Sequence, residues 1–147
     1  MTINKFLDAI AAKLRALYPD KVVYFDEIPA EADGNFYIRC FEHSQERGLD
    51  RRRKRTLQFE VNYFCMDRDN LVYNDWAETM YDNFEQLTVE ESEGKTRGIA
   101  LTNLKAIKNK NTEMFQFLFD ATFHFVLAPE DDELMGDLEL IERVNRE

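Results

Sequence analysis

Few residues in this sequence are of the type and spacing that catalysis needs. The two histidines are His43, which stands beside Ser44, and His124. A Ser–His–Asp triad stays compatible with the sequence, because its members can converge from distant positions. However, no GxSxG turn occurs, and neither a GxxxxGKS/T nor a GxGxxG phosphate loop is present. The sequence therefore predicts a protein that is not an enzyme and that uses no cofactor.

The cysteines and acidic residues do not form a recognisable metal site. Cys40 and Cys65 belong to no CxxC pair, and we expect both to be small buried hydrophobic residues without a disulfide. Residues 67–70, DRDN, resemble the start of a calcium loop. Val72 stands at the sixth position, where that loop needs glycine, and a matching Glu78 at the twelfth is weak evidence. Helix capping explains the segment better, so no metal is predicted.

A run of basic residues is the main candidate for a binding site. Residues 47–55, RGLDRRRKR, contain six basic residues and one acid, a local charge of +5. Three interpretations stay open: a solvated hairpin tip without further role, an arm that grips an acidic surface on another protein, and contact with DNA phosphates, although no aromatic residue is interleaved to stack on bases. The candidate partner-binding residues are Arg47, Arg51, Arg52, Arg53, Lys54 and Arg55.

The charge of the whole chain argues against general nucleic-acid binding. The formal net charge is −10, whereas phosphate contacts need a basic surface. Residues 130–147 contain eight acids and two arginines, a local charge of −6. One basic patch on an otherwise acidic protein is suited to pairing with further copies or with another acidic protein. We therefore expect protein partners and no specific nucleic acid.

The composition is typical of one packed domain. The chain has 147 residues, of which 44% are hydrophobic and 12 are phenylalanine, and this favours a single core. No apolar run approaches the ~20 residues that span a bilayer. Asp8 interrupts the apolar pattern of the N-terminus, so we expect no signal peptide, no membrane contact, and a protein that is made and kept in the cytoplasm unless an assembly carries it out.

The first half of the sequence predicts a helix followed by three strands. Apolar residues at helical spacing over residues 2–17 indicate an amphipathic helix with Thr2 as its N-cap, ending before Pro19. Alternating apolar and polar residues predict strands at residues 21–27, 35–42 and 55–65. The basic run between the last two strands has no apolar period, and we expect it to be the exposed connection of a long hairpin.

The second half predicts another helix and a strand rich in phenylalanine. The helix should run from about Leu71 to Leu87, followed by a polar segment, Thr88–Arg97, that is either a short edge strand or a loop, and by a weaker strand at Gly98–Lys108. Apolar side chains then occupy every second position from Phe115 to Leu127. A register shift of one residue would expose five phenylalanines at a cost on the order of 10 kcal/mol. The opposite, half-polar face of this strand is suited to solvent or to a neighbouring subunit.

These elements predict an α+β fold with the order α-β-β-β-α-β-β. Hairpins outnumber crossovers, so we expect a mostly antiparallel sheet of about four to five strands with two helices packed on one face. The domain should cover residues 1–129. Residues 130–147 form an acidic C-terminal extension whose apolar spacing is compatible with a short docking helix.

Several segments resemble the phage tail terminator proteins. They are MTINKFLDAIAAKLRALYP, KVVYFDEIP, NFYIRCFE, the arginine-rich link to RTLQFEVNYFC, and NDWAETMYDNFEQL. The resemblance covers about residues 2–127. It is nearest to the group encoded in tail operons of Gram-positive phages, defective prophages and phage-tail-like bacteriocins.

The resemblance implies a structural subunit of a hexameric ring. Such a ring caps the tail tube, stops its growth and joins the tail to the neck or collar, and in contractile tails it meets the sheath. The implied partners are copies of the chain, the tail tube protein, and a sheath or neck protein within a phage or phage-like tail particle. The alternatives are a head–tail connector or neck protein and, less favoured, a small nucleic-acid-binding regulator.

Overall fold

The structure, a computed structural model, describes residues 1–26, 34–65, 69–109 and 114–128. Two α-helices and six β-strands are found in these ranges. In chain order they are α1 (Ile3–Leu17), β1 (Val23–Tyr24), β2 (Phe36–Arg47), β3 (Arg52–Tyr63), α2 (Asn70–Asn83), β4 (Gln86–Ser92), β5 (Lys95–Asn109) and β6 (Met114–Val126). The predicted α+β class is confirmed.

The strands form one mixed sheet in the order β1-β2-β3-β6-β5-β4. β1 pairs parallel with β2, while β5 is antiparallel to both β4 and β6. The expectation of four to five strands was too low, since six are present in the described chain. The additional strand is β4, in a segment that the sequence left open between an edge strand and a loop. Its side chains are mostly polar because an edge strand needs few buried residues.

Two compact units are distinguished within the chain. The first contains Met1–Ser44 and Arg55–Phe123, and the second contains Gln45–Lys54 together with residues from His124 onward. Both helices and the hydrophobic core belong to the first unit. The division of the chain into a domain at residues 1–129 and an extension at 130–147 stays a prediction, because residues 129–147 lie outside the described ranges.

Helix α1 begins directly after the capping residue that the sequence predicted. The Thr2 side chain accepts a hydrogen bond from the Lys5 backbone N–H at 3.2 Å, which satisfies one of the free donors of the first turn. Within the buried stripe, Phe6 stacks on Phe59 of β3 with ring centroids 5.8 Å apart and lies 5.2 Å from the ring of Phe123 of β6. The predicted helix and its cap are confirmed.

Helix α2 is shorter than the sequence predicted. It ends at Asn83, after which Phe84 leaves the helical conformation with φ −117° and ψ 32°. Leu87, expected at the end of the helix, is instead a buried residue of β4. A spacing of three residues places Phe84 and Leu87 on one helical face, but a strand that starts between them buries both equally well. Periodicity alone therefore cannot locate this boundary.

The phenylalanines of β6 form the centre of the first unit's core. β6 lies between β3 and β5 in the sheet. Phe115, Phe117, Phe119 and Phe123 are all at most 2% exposed. The alternation extends less far than expected, since Leu127 follows the last strand residue and is 37% exposed. Phe123, which is 2% exposed, is covered by the ring of Phe6 from α1.

Shortening a ring at the centre of this core should destabilise the fold strongly. Phe117 is fully buried and contacts the rings of Tyr81, Phe84 and Phe119 at 5.4–5.9 Å. We expect Phe117→Ala to lower the free energy of unfolding by about 3–5 kcal/mol. Urea denaturation followed by circular dichroism measures this change.

The matched control is Phe41→Ala, because Phe41 lies in β2 and is 41% exposed. Its substitution should change the free energy of unfolding by only about 0.5 kcal/mol. Equal losses at the two positions would contradict the assignment of the core.

Candidate partner-binding surface

The basic run forms the end of the β2–β3 hairpin. Arg47 is the last residue of β2 and Arg52 is the first of β3. The Arg52 N–H donates to the Leu49 carbonyl at 3.0 Å, and the Gly48 N–H donates to the Arg52 carbonyl at 2.9 Å. Asp50 occupies the left-handed region with φ 59°, which aspartate tolerates better than most residues. The turn is therefore tight and is closed by backbone hydrogen bonds.

Residues 47–55 were expected to be the exposed connection of a long hairpin, and the hairpin is found, but its strands extend further into this segment than expected. Only the four residues between Arg47 and Arg52 lie outside the strands. The sequence suggested a loop because charged side chains show no apolar period. Ladder hydrogen bonds use backbone groups, however, so a hairpin can extend through a charged segment whose side chains remain in water. We call residues 47–55 the basic arm.

Three of the six predicted binding residues are exposed to solvent. Arg47, Arg51 and Arg52 are exposed, while Arg53, Lys54 and Arg55 are half-buried. Every residue of β2 from Phe41 to Arg47 is exposed. Since successive residues of a strand point to opposite faces, this part of β2 presents both faces to solvent. Such a strand is poorly covered by its own chain and is available to a partner.

Within the second unit, the basic arm lines a shallow cavity of about 300 Å³. Four of the six predicted residues line it, but Arg51 and Arg55 do not. His124 and Glu46 contribute to the wall, and the adjoining Leu49 is 82% exposed. The four lining cations are Arg47, Arg52, Arg53 and Lys54. The arrangement favours carboxylates or other anions next to an apolar contact.

Arg53 has an additional structural role in the turn. Its guanidinium donates to the backbone carbonyl of Asp50 at 3.1 Å and to that of Arg52 at 2.7 Å. Because these bonds hold the turn, the Arg53 guanidinium is only partly available to a partner. Arg47, Arg51 and Arg52 are therefore better suited for removing charge without disturbing the hairpin.

A second polar feature lies in the first unit and was missed by the sequence analysis. We call it the polar cluster. Arg39 donates to the Glu60 carboxylate, and the Gln116 amide donates to Glu60 at 3.3 Å and to Asn62 at 3.0 Å. The Asn109 amide donates to Gln116 at 3.4 Å. These side chains cross strands β2, β3, β6 and β5, so only the strand order brings them together.

The polar cluster contains charge that is largely removed from water. Glu60 is 6% exposed and Asn62 is 3% exposed. The hydrogen bond to Glu60 raises the pKa of the Arg39 guanidinium, so this arginine stays charged opposite the carboxylate. A cavity of about 440 Å³ adjoins the cluster and is also lined by Tyr37, Phe64 and Met114. Because desolvation of the Glu60 carboxylate offsets much of its attraction to Arg39, the pair adds little net stability compared with an apolar contact.

The family of the chain is shown by a match over most of its length. A family model described as "Phage tail terminator protein" matches residues 5–134. The chain belongs to the phage tail terminator family. The resemblance read from the sequence is thereby confirmed, including a structural role in a phage tail and interaction with other tail proteins. No curated protein matches the chain significantly.

The two histidines and the acidic segment at residues 67–70 are the residues whose types could support catalysis or metal binding. His43 is an exposed residue of β2, and His124 lines the cavity of the basic arm. No group of three possible metal ligands occurs in the described ranges. The start of the supposed calcium loop, residues 67 and 68, lies outside those ranges. Asp69 caps α2, because its side chain accepts a hydrogen bond from the Leu71 N–H at 3.2 Å. This agrees with the predicted capping role of the segment.

Both cysteines are free thiols. Cys65 is buried, as predicted, while Cys40 is only half-buried. Burial raises the pKa of the Cys40 thiol, so its reactive thiolate is less populated at neutral pH than in a solvent-exposed cysteine.

Neither helix of the described chain has the length and hydrophobicity required to cross a membrane.

Substituting Arg39 and Glu60 singly and together should reveal a coupling free energy between the two side chains. We expect Arg39→Ala to lower the free energy of unfolding by about 1–3 kcal/mol, because it leaves the Glu60 carboxylate without its cation in a site away from water. Glu60→Gln in the same chain should recover at least half of that loss, since a neutral amide needs no cation. A double-mutant cycle by urea denaturation measures the coupling. Strictly additive losses would show that the pair is not coupled.

Proposed function

We propose that this tail terminator family member is a subunit of a hexameric ring that caps the end of a phage or phage-like tail tube. The ring stops the growth of the tube and joins it to the neck, or to the sheath of a contractile tail. Subunits assemble in the bacterial cytoplasm before they enter the particle. The single observation that carries the proposal is an exposed hairpin arm with six basic residues in a member of this family.

The basic arm supplies the contact with the tube or with the next subunit. Arg47, Arg51 and Arg52 are exposed, and the turn that carries them is closed by backbone bonds. An exposed ion pair contributes only about 0–1 kcal/mol. A ring repeats each pair by symmetry, so contacts that are weak in one subunit become specific in the closed assembly.

The partly exposed sheet face opposite the phenylalanines supplies further contact surface. We infer that both helices cover one face of the sheet, since Phe6 of α1 and Trp76 of α2 each contact rings of β6, at Phe123 and Phe115 respectively. On the alternate positions of β6, Thr122 is exposed and the remaining side chains are mostly polar. A face of this kind fits a neighbouring subunit better than a dry core.

Removing charge from the basic arm should impair capping while the fold is kept. We expect the variant R47Q/R51Q/R52Q to bind purified tail tubes about 10-fold more weakly per subunit, because three exposed pairs together contribute about 1–2 kcal/mol. Tails assembled with the variant should have a broad length distribution in negative-stain images, in contrast to the uniform tails of the native protein.

The control variant removes the same number of cationic charges from exposed positions outside the arm: R15Q/K95Q/K105Q. It should cap tubes as the native protein does. Uniform tails with the arm variant would refute the role of the arm. Native protein that binds at the neck and never at the end of isolated tubes would favour the connector alternative instead.

A further inference from the structure

The chain leaves the sheet directly beside the basic arm. The Leu127 N–H donates to the Arg51 carbonyl at 2.8 Å, so β6 ends next to the turn. Four consecutive acids, residues 130–133, begin only three residues later. Three residues of extended chain span about 10 Å. The backbone of Glu130, the first acid, can therefore be no more than about 10 Å from that of Leu127, whose N–H is bonded to Arg51.

The charges of the two segments are complementary. Residues 130–147 carry a local charge of −6 and residues 47–55 carry +5. Apolar residues are also present in both segments, since Leu49 is 82% exposed in the arm and Leu134 and Leu138 occur among the acids of residues 130–147. The arm cavity of about 300 Å³, lined by four cations, is a suitable receptor for such a chain.

We propose that residues 130–147 bind the basic arm of their own chain. The intramolecular contact is favoured over one between copies because a short tether gives the acids an effective concentration of about millimolar or higher at the arm. In the free subunit the arm is thus occupied by an internal acidic competitor. Any acidic partner must displace that segment before it reaches the arginines.

The contact itself does not depend on the ring. Only its consequence, that the arm is shielded until a tail protein replaces the segment, rests on the proposed function. The contact is electrostatic, so about 1 M salt, which shortens the Debye length to about 3 Å, should release it.

Nuclear magnetic resonance of the full chain tests the contact directly. The variant E130Q/D131N/D132N/E133Q should shift the backbone amide resonances of Arg51, Arg52 and Lys54, and high salt should produce the same shifts in the native protein. The control D75N/E78Q/D82N/E85Q removes four exposed acids in and after α2 and should leave the arm resonances unchanged. Arm resonances that are identical in all three proteins would overturn the proposal.

Dilution distinguishes binding within the chain from binding between copies. The arm resonances of the native protein should be independent of protein concentration. Shifts that appear only at high concentration would overturn the intramolecular contact and assign the segment to a neighbouring copy.

A competition experiment measures the strength of the contact. A fluorescent poly-glutamate peptide should bind the E130Q/D131N/D132N/E133Q variant about 10-fold more tightly than the native chain, which corresponds to about 1.4 kcal/mol. The variant R47Q/R51Q/R52Q should bind the peptide weakly whether or not the acids are present. Equal affinity of the native and acid-neutralised chains for the peptide would refute the binding of residues 130–147 to the basic arm.

The outcomes separate this proposal from the proposed function. If the arm variant assembles uniform tails while the resonance shifts and the peptide affinities follow the expectation, the intramolecular contact stands without the capping role. If capping fails in the arm variant and the arm resonances do not shift when the acids at residues 130–133 are neutralised, the capping role stands without the contact.

Discussion

The structure depends on the burial of one face of β6. Its phenylalanines are at most 2% exposed from Phe115 to Phe123 and are in contact with rings from both helices, such as Phe6 and Trp76. Each buried ring contributes about 1.5–3 kcal/mol, and a shift by one residue would turn the whole set toward solvent. The register of β6 is therefore fixed, and with it the position of every side chain on the opposite face.

That register positions the two polar features of the molecule. On the face opposite the phenylalanines, Gln116 reaches Glu60 and Asn62 of β3, and Arg39 completes the polar cluster from β2. Beyond the end of β6, Leu127 pairs with Arg51 of the turn. In the first unit, β6 contributes Gln116 to the polar cluster around the buried Glu60. In the second unit, the residue after β6 is bonded to the turn of the basic arm. Each feature draws its geometry from backbone pairing and not from its own charges.

Charge is separated along this chain in a way that suits a structural protein. Cations are concentrated in the basic arm, while residues 130–147 are strongly acidic. Exposed pairs are individually weak and are screened by salt, so such surfaces act through repetition or tethering. In the proposed ring, symmetry would provide the repeated partners, and in the proposed intramolecular contact the short connection after Leu127 would provide the tether. Both uses rely on the same arginines, and they exclude each other on any one arm.

The sequence by itself determined the local features of this protein. Thr2 and Asp69 specified the starts of α1 and α2, and the alternation after Met114 specified β6, because caps and side-chain periodicity involve only neighbouring residues. The tertiary structure alone decided the parallel pairing of β1 with β2, the end of α2 before Phe84, the strand character of the basic arm, and the polar cluster. Pairing uses backbone groups common to all residues, and the cluster joins positions from Arg39 to Gln116. No local pattern can report contacts that only the strand order creates.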